Sequence, residues 1–182
     1  FSRELSFTRQ FPTPLSDQPD FASRIRNSSM ACMNQQVLLR KGRLSLSGHI
    51  YLVTFTTDER KPHFQAWETA SMMAGLLTSP RNWKSSRLLA WVLMPDHWHG
   101  LIQLGDDDHL SDCVRLLKGA TARQIKRSHP ELGRIWASGF HDRALRKDED
   151  LRVAARYLAL NPVRAGLVER VGDYPYWDAI WI

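Results

Sequence analysis

The spacing of apolar residues along the chain predicts an alternation of strands and helices. Residues 50–57 are β-branched and aromatic, which is typical of a strand. From residue 62 to about residue 78, apolar residues recur at helical spacing, which predicts a helix with one inner side. The residues predicted for that inner side are Phe64, Trp67, Ala70, Ala74 and Leu77.

The middle of the chain predicts a β-hairpin followed by a second helix. Residues 88–94 and 97–104 are apolar segments separated by Pro95 and Asp96, so we expect two strands joined by a tight turn. Residues 112–128 have the periodicity of an amphipathic helix. The inner stripe predicted for this helix consists of Val114, Leu117, Thr121 and Ile125.

The C-terminal part predicts a short strand at residues 139–145 and then a third helix. Acidic residues beginning at Asp148 favour the start of that helix. Its core-facing residues are predicted to be Leu151, Ala154, Ala155 and Leu158. A hairpin between two strand–helix units predicts an α+β, ferredoxin-like sandwich with a mainly antiparallel sheet and helices on one face.

Residues 1–40 differ from the rest of the chain. They have no sustained apolar period and are rich in Ser and Pro with mixed charge, which predicts a poorly ordered N-terminal arm. The remaining residues, 41–182, are enough for one domain with a substantial core.

Charge and cysteine content indicate which class of binding partner and which cellular compartment to expect. A net charge of +6 and a pI near 9.7 favour a polyanionic partner, of which nucleic acid is the commonest. Two isolated cysteines, Cys32 and Cys113, form no disulfide framework, which favours a reducing cytosol. The longest apolar run, residues 88–94, is too short for a membrane span. We therefore expect a cytoplasmic protein without a membrane partner.

His97 and His99 are the first residues with a chemical implication. Residues i and i+2 of a strand point to the same face, so both imidazoles should project side by side while Trp98 enters the opposite layer. Two neutral imidazoles at this spacing can share one divalent metal. The alternative is a pair of unrelated histidines on a solvated face.

Tyr157 and Asn161 are four residues apart on the third predicted helix and should share a helix face. Tyrosine can act as a covalent nucleophile, and a carboxamide oxygen can bind a metal. Tyr157 could equally be a half-buried aromatic residue. Asn161 could equally be a helix cap before Pro162.

A basic edge is predicted on the second helix, where it could follow a phosphate backbone. Its residues are Arg115, Lys118, Arg123 and Lys126. From the spacing alone, a merely solvated helix face is an equal alternative.

Taken together, these segments resemble the HUH single-tyrosine transposases and, among them, the REP-associated tyrosine transposases. HWHG lies on the second hairpin strand, and Tyr157 follows in YLALNPVRAGLV. The segments MPDHWH, GRIWASGFHDRAL and YPYWDAIWI resemble the same subgroup. The resemblance covers roughly residues 41–182.

The resemblance implies a ferredoxin-like catalytic domain with the catalytic tyrosine, Tyr157, on a C-terminal helix. His97 and His99 would bind Mg or Mn, with Asn161 as the third metal ligand. Tyr157 would attack a DNA phosphodiester and form a 5′-phosphotyrosine bond. The implied substrates are single-stranded repetitive extragenic palindromes folded into hairpins. No small-molecule cofactor is implied, and the oligomeric state stays open.

Two other functions remain possible from the sequence. A water-using phosphoesterase often needs a second histidine motif, and the other five histidines, at positions 49, 63, 109, 129 and 141, form no second His-x-His. A non-catalytic DNA or RNA hairpin-binding module is the second alternative. The presence of His97, His99, Tyr157 and Asn161 together argues against it.

Overall fold

The computed structural model of the chain describes residues 45–145 and 151–181. The arm predicted over residues 1–40 and the helix start predicted at Asp148 lie outside these described residues.

Within the described residues, five strands form one sheet in which every neighbouring pair is antiparallel. The strands are β1 (Ile50–Thr56), β2 (Arg87–Met94), β3 (His97–Gln103), β4 (His141–Ala144) and β5 (Trp177–Ala179). Their order across the sheet is β4-β1-β3-β2-β5. The first four strands have the ferredoxin-like arrangement predicted from the sequence, and β5 extends the sheet beyond β2.

Helices cover both faces of this sheet. They are α1 (Trp67–Thr78), α2 (Leu110–Ser128), α3 (Leu151–Ala159) and the short α4 (Asn161–Arg164). Buried residues of α1 and α2 share one apolar cluster with one face of the sheet, whereas those of α3 belong to a second cluster on the opposite face. The prediction of helices on one face therefore holds for α1 and α2 and is wrong for α3.

Alternation along β1 and β3 separates the two clusters. Tyr51, Val53 and Phe55 point toward α1 and α2, while Ile50 and Leu52 point toward α3. On β3 the fully buried Trp98 belongs to the α1–α2 side, where its ring stacks on Phe55 with centroids 4.8 Å apart. The residues that flank Trp98 must therefore face the α3 side.

Gly100 is required beside Trp98. A β-carbon at Gly100 would lie 2.1 Å from the Trp98 ring, which is closer than any side chain can approach. The indole thus occupies the space that a side chain at position 100 would take. This close packing fixes which face each residue of β3 occupies.

The predicted inner stripe of α2 is confirmed, because Val114, Leu117, Thr121 and Ile125 are all buried.

The prediction for α1 is partly wrong. The helix begins at Trp67 rather than near residue 62, and Trp67 is 63% exposed. Phe64 is buried, but it lies in a turn whose backbone N–H donates to the Pro95 carbonyl. None of the helices in the described ranges has both the length and the apolarity that a bilayer span needs.

Candidate active site

The two histidines of β3 project from the same face of the sheet, as their spacing predicted, and this is the face on which α3 packs. His97 lies opposite Met94 of β2, and His99 lies opposite Val92, and both of these partners belong to the α3-side cluster. The imidazole centroids are 4.6 Å apart with their planes nearly perpendicular. Two aromatic nitrogens on neighbouring rings are thus available to one small ligand.

Asp96 orients His97. Its Oδ1 lies 2.5 Å from His97 Nδ1, and its Oδ2 accepts a hydrogen bond of 3.1 Å from Arg60. Burial opposes ionisation of Asp96, but the hydrogen bonds from His97 and Arg60 outweigh it and lower the pKa of Asp96 to about 2. The ionised Asp96 can only accept a proton from Nδ1, an arrangement that in a neutral imidazole leaves the Nε2 lone pair for a ligand.

Thr54 performs the corresponding role for His99. It lies directly opposite His99 in the β1–β3 register, and its hydroxyl oxygen is 2.6 Å from His99 Nδ1. Burial lowers the pKa of His99 well below its usual range, and the charges of His97 and Arg164 lower it further. His99 is therefore a neutral imidazole at physiological pH, which is the form that binds metals.

His97 and His99 supply two of the ligands that a divalent metal needs. Both histidines are held at Nδ1, so both can offer Nε2 on the same side of the sheet. The described residues contain no group of three or more His, Cys, Asp or Glu side chains arranged to hold a metal. A metal held by His97 and His99 would therefore need further ligands from a carboxamide, water or a phosphate oxygen.

Tyr157 and Asn161 lie on the same side of the sheet as the histidine pair. Ala154, Ala155 and Leu158 bury the inner face of α3 in the α3-side cluster, which leaves Tyr157 half-buried beside them. Helix α3 ends at Ala159, and Asn161 begins α4. The structure thus brings together His97, His99 and the helix that carries Tyr157.

Asn161 is engaged through both ends of its carboxamide. Its Nδ2 donates to the Leu158 carbonyl over 3.2 Å, and its Oδ1 accepts a hydrogen bond of 2.7 Å from Arg164. Asn161 is not the N-cap of α4, which is Leu160, so the capping alternative offered by the sequence can apply to it only at the end of α3. Its side chain satisfies a carbonyl at the end of α3.

Lys118 does not belong to an exposed basic edge, and the prediction that grouped it with Arg115, Arg123 and Lys126 is corrected. Its ammonium donates to the carbonyls of Ala137 and Gly139 over 2.8 and 2.5 Å. Burial lowers the pKa of Lys118 to about 8, and the charge of Arg134 acts in the same direction.

The three other basic residues of this edge are exposed on α2. Helix α2 packs on the face of the sheet opposite the histidine pair. The guanidinium of Arg115 also pairs with Asp112 on the same helix. Any role for these residues therefore concerns a surface separate from the histidines.

Sequence reasoning missed four residues that shape the site. Asp96 could have been found, because it precedes His97 directly. Thr54 and Arg60 come from another part of the chain, and their contacts depend on strand register and on the turn after β1. Arg164 reaches the site only because the chain turns sharply between α3 and α4.

Comparisons with known proteins identify the family to which the chain belongs. Residues 45–159 match the family described as Transposase IS200 like. The chain is 30% identical over 139 residues to the REP-associated tyrosine transposase of Escherichia coli (strain K12), covering 74% of this chain and 78% of that protein. A relative in Haemophilus influenzae, also named for the REP-associated tyrosine transposases, is 34% identical over 99 residues, covering 48% of this chain and 56% of the relative.

A solved structure of a related protein has a similar fold. A REP-associated tyrosine transposase bound to a REP hairpin superposes with a TM-score of 0.61 at 25% identity, over 74% of this chain and 79% of that one. It shares an α+β fold built on an antiparallel sheet with this chain. The chain therefore belongs to the IS200-like transposase family and, within it, to the REP-associated tyrosine transposases.

Proposed function

We propose that the chain is a metal-dependent, single-strand DNA endonuclease and strand-joining transposase with Tyr157 as its nucleophile. One observation carries the proposal: the face of the sheet that bears His97 and His99 is also the face on which the tyrosine helix packs. A nucleophile and a pair of oriented metal-binding imidazoles can together carry out phosphodiester transfer.

His97 and His99 would hold Mg or Mn through Nε2, with Asn161 as a third ligand. When bound, such an ion supplies positive charge next to the phosphate oxygens and the leaving oxygen. Asn161 Oδ1 would have to leave its hydrogen bond with Arg164 to take this role.

Tyr157 would attack the scissile phosphorus through its phenol oxygen. The phenol proton passes to solvent or to a neighbouring base, a P–O bond forms to the tyrosine, and the bond to the 3′-oxygen of the leaving strand breaks. That 3′-oxygen takes up a proton from solvent. The products are a 5′-phosphotyrosine and a free 3′-hydroxyl. Because the phosphodiester energy is kept in the covalent bond, a 3′-hydroxyl can attack the phosphotyrosine and rejoin the strands.

The proposed substrates are single-stranded repetitive extragenic palindromes folded into hairpins. A related transposase has been solved with a REP hairpin, and the basic charge of this chain suits a polyanion. Arg115, Arg123 and Lys126 are proposed to contact DNA phosphates. Since they lie on the opposite face from the histidines, they would bind a part of the DNA away from the scissile phosphate.

A covalent adduct tests this function directly. The protein is incubated with Mg or Mn and a fluorescent single strand that carries a REP hairpin and its flanks, then denatured and separated on a gel. A labelled band at the mass of protein plus DNA fragment supports the nuclease. A shift that appears only on a native gel contradicts it and identifies a non-catalytic hairpin-binding module.

A further inference from the structure

Arg164 lies where α4 returns the chain toward α3. Pro162, which has no N–H to continue α3, follows Asn161 at the start of α4. The backbone N–H of Arg164 donates to the Leu160 carbonyl over 3.0 Å, and that of Leu167 donates to the Pro162 carbonyl over 2.9 Å. These bonds fix the backbone of α4 and so place the Cα of Arg164 near the end of α3.

The guanidinium of Arg164 makes three contacts at once. Its Cζ lies 3.7 Å from the centroid of the Tyr157 ring. Its Nη2 donates to the Tyr157 carbonyl over 3.0 Å and to Asn161 Oδ1 over 2.7 Å. A planar guanidinium can stack on an aromatic face while its N–H groups donate within its own plane, which a lysine ammonium cannot do.

We infer that Arg164 is a positioning residue for Tyr157. The stacking contact fixes the plane of the ring, and the bond to the Tyr157 carbonyl ties that ring to the backbone of α4. The hydrogen bond to Asn161 holds the carboxamide in place relative to the Tyr157 ring. The positioning role deepens the proposed function, and its predicted effect on cleavage rests on that function.

A spectroscopic experiment tests the contact without relying on activity. The whole chain is produced with 3-fluorotyrosine, and its four tyrosines give four fluorine resonances. The resonance absent from Tyr157→Phe belongs to Tyr157. Arg164→Ala should shift that resonance and leave those of Tyr51, Tyr174 and Tyr176 in place.

Arg156→Ala is the matched control, because Arg156 is an exposed arginine next to Tyr157 on α3. Arg156→Ala removes the same charge from α3, the helix that carries Tyr157, and should move none of the four resonances. An unshifted Tyr157 resonance in Arg164→Ala would overturn the inference, as would an equal shift in Arg156→Ala.

The kinetic arm compares single-turnover cleavage with DNA binding. Arg164→Ala should slow cleavage about 10–100-fold, as a misplaced reactive group does, while the hairpin Kd stays within about twofold of wild type. Arg164→Lys keeps the charge without the planar stack and should remain close to Arg164→Ala. A wild-type rate in Arg164→Lys would show that charge alone suffices, and would overturn the positioning role.

The two arms separate failure of the inference from failure of the proposed function. If the wild-type protein forms no covalent adduct, the proposed nuclease is wrong, while the fluorine resonance still decides whether Arg164 holds the tyrosine ring. If the adduct forms and the resonance does not move, only the role of Arg164 is wrong.

Discussion

The two faces of the sheet use the same strands for different purposes. Toward α1 and α2, β1 and β3 present Phe55 and Trp98, both almost fully buried. Toward α3, the adjacent positions Thr54, His97 and His99 are half-buried and polar. Strand alternation therefore places residues that stabilise the fold and residues suited to chemistry one position apart. Substitutions at neighbouring positions should then affect different properties, one the stability of the fold and the other the cleavage of DNA.

The largest effect is expected from Tyr157→Phe. Only the hydroxyl can form a phosphotyrosine bond, and a phenylalanine keeps the ring in place, so adduct formation should be lost completely while hairpin affinity is retained. Adduct yield on a denaturing gel and Kd from fluorescence anisotropy measure the two. Tyr176→Phe removes a hydroxyl from a tyrosine outside the site and should keep full activity. Nicking by the Tyr157 variant at a comparable rate would mean that another nucleophile acts.

Substitutions at His97 and Trp98 test the contrast between the two faces. His97→Ala should abolish metal-dependent cleavage but lower the free energy of unfolding by only about 1–2 kcal/mol, the loss of one hydrogen bond. Trp98→Ala should cost about 3–5 kcal/mol, because it empties a fully buried position. Urea denaturation and cleavage assays with and without chelator measure both. Equal destabilisation by the two variants would contradict the division into faces.

Asn161→Ser should have a smaller effect than loss of either histidine. Serine is too short to reach a metal from α4, so the metal concentration for half-maximal cleavage should rise roughly tenfold. Asn82→Ser is the matched control, since Asn82 Nδ2 donates to the Leu76 carbonyl near the end of α1 just as Asn161 Nδ2 does to that of Leu158. An unchanged metal requirement in Asn161→Ser would leave Asn161 with a structural role only.

The smallest effect concerns the basic residues of α2. Lys126→Gln should reduce the slope of log affinity against log salt by about 0.7–0.9, the contribution of one phosphate contact. Lys118→Met should leave that slope unchanged, because its ammonium is bound to two carbonyls. Anisotropy titrations at several salt concentrations measure both slopes. A reduced slope in Lys118→Met would show that this lysine turns outward to meet DNA.

The sequence predicted those parts of the fold in which local pattern and burial agree. The α2 stripe and the hairpin belong to this group, because each has apolar residues at a consistent period over many positions. The start of α1 was misplaced because Phe64 and Trp67 match helical spacing by coincidence. Phe64 is in fact held in a turn by the Pro95 carbonyl, a contact between distant segments. Strand β5, with three residues, is too short to show a period.

For the candidate site, the sequence indicated residue types but not their partners. The His97–His99 spacing was sufficient to predict a shared face. Thr54 could not be paired with His99 without the register of β1 against β3. Helical spacing predicts Lys118 on the exposed edge of α2, because spacing does not reveal that two loop carbonyls, those of Ala137 and Gly139, lie within reach of its ammonium.

The close fit of Trp98 over Gly100 has a consequence for how this sequence can change during evolution. The tetrapeptide His-Trp-His-Gly combines two independent requirements, since Trp98 and Gly100 are needed for packing, whereas the histidines are proposed to serve catalysis. A homologue that kept this fold without the proposed nuclease activity would be free to replace the histidines, whereas the tryptophan and glycine would still be retained together. Among homologues, Trp-x-Gly without flanking histidines should therefore identify proteins that keep the fold but do not cleave DNA by the proposed mechanism.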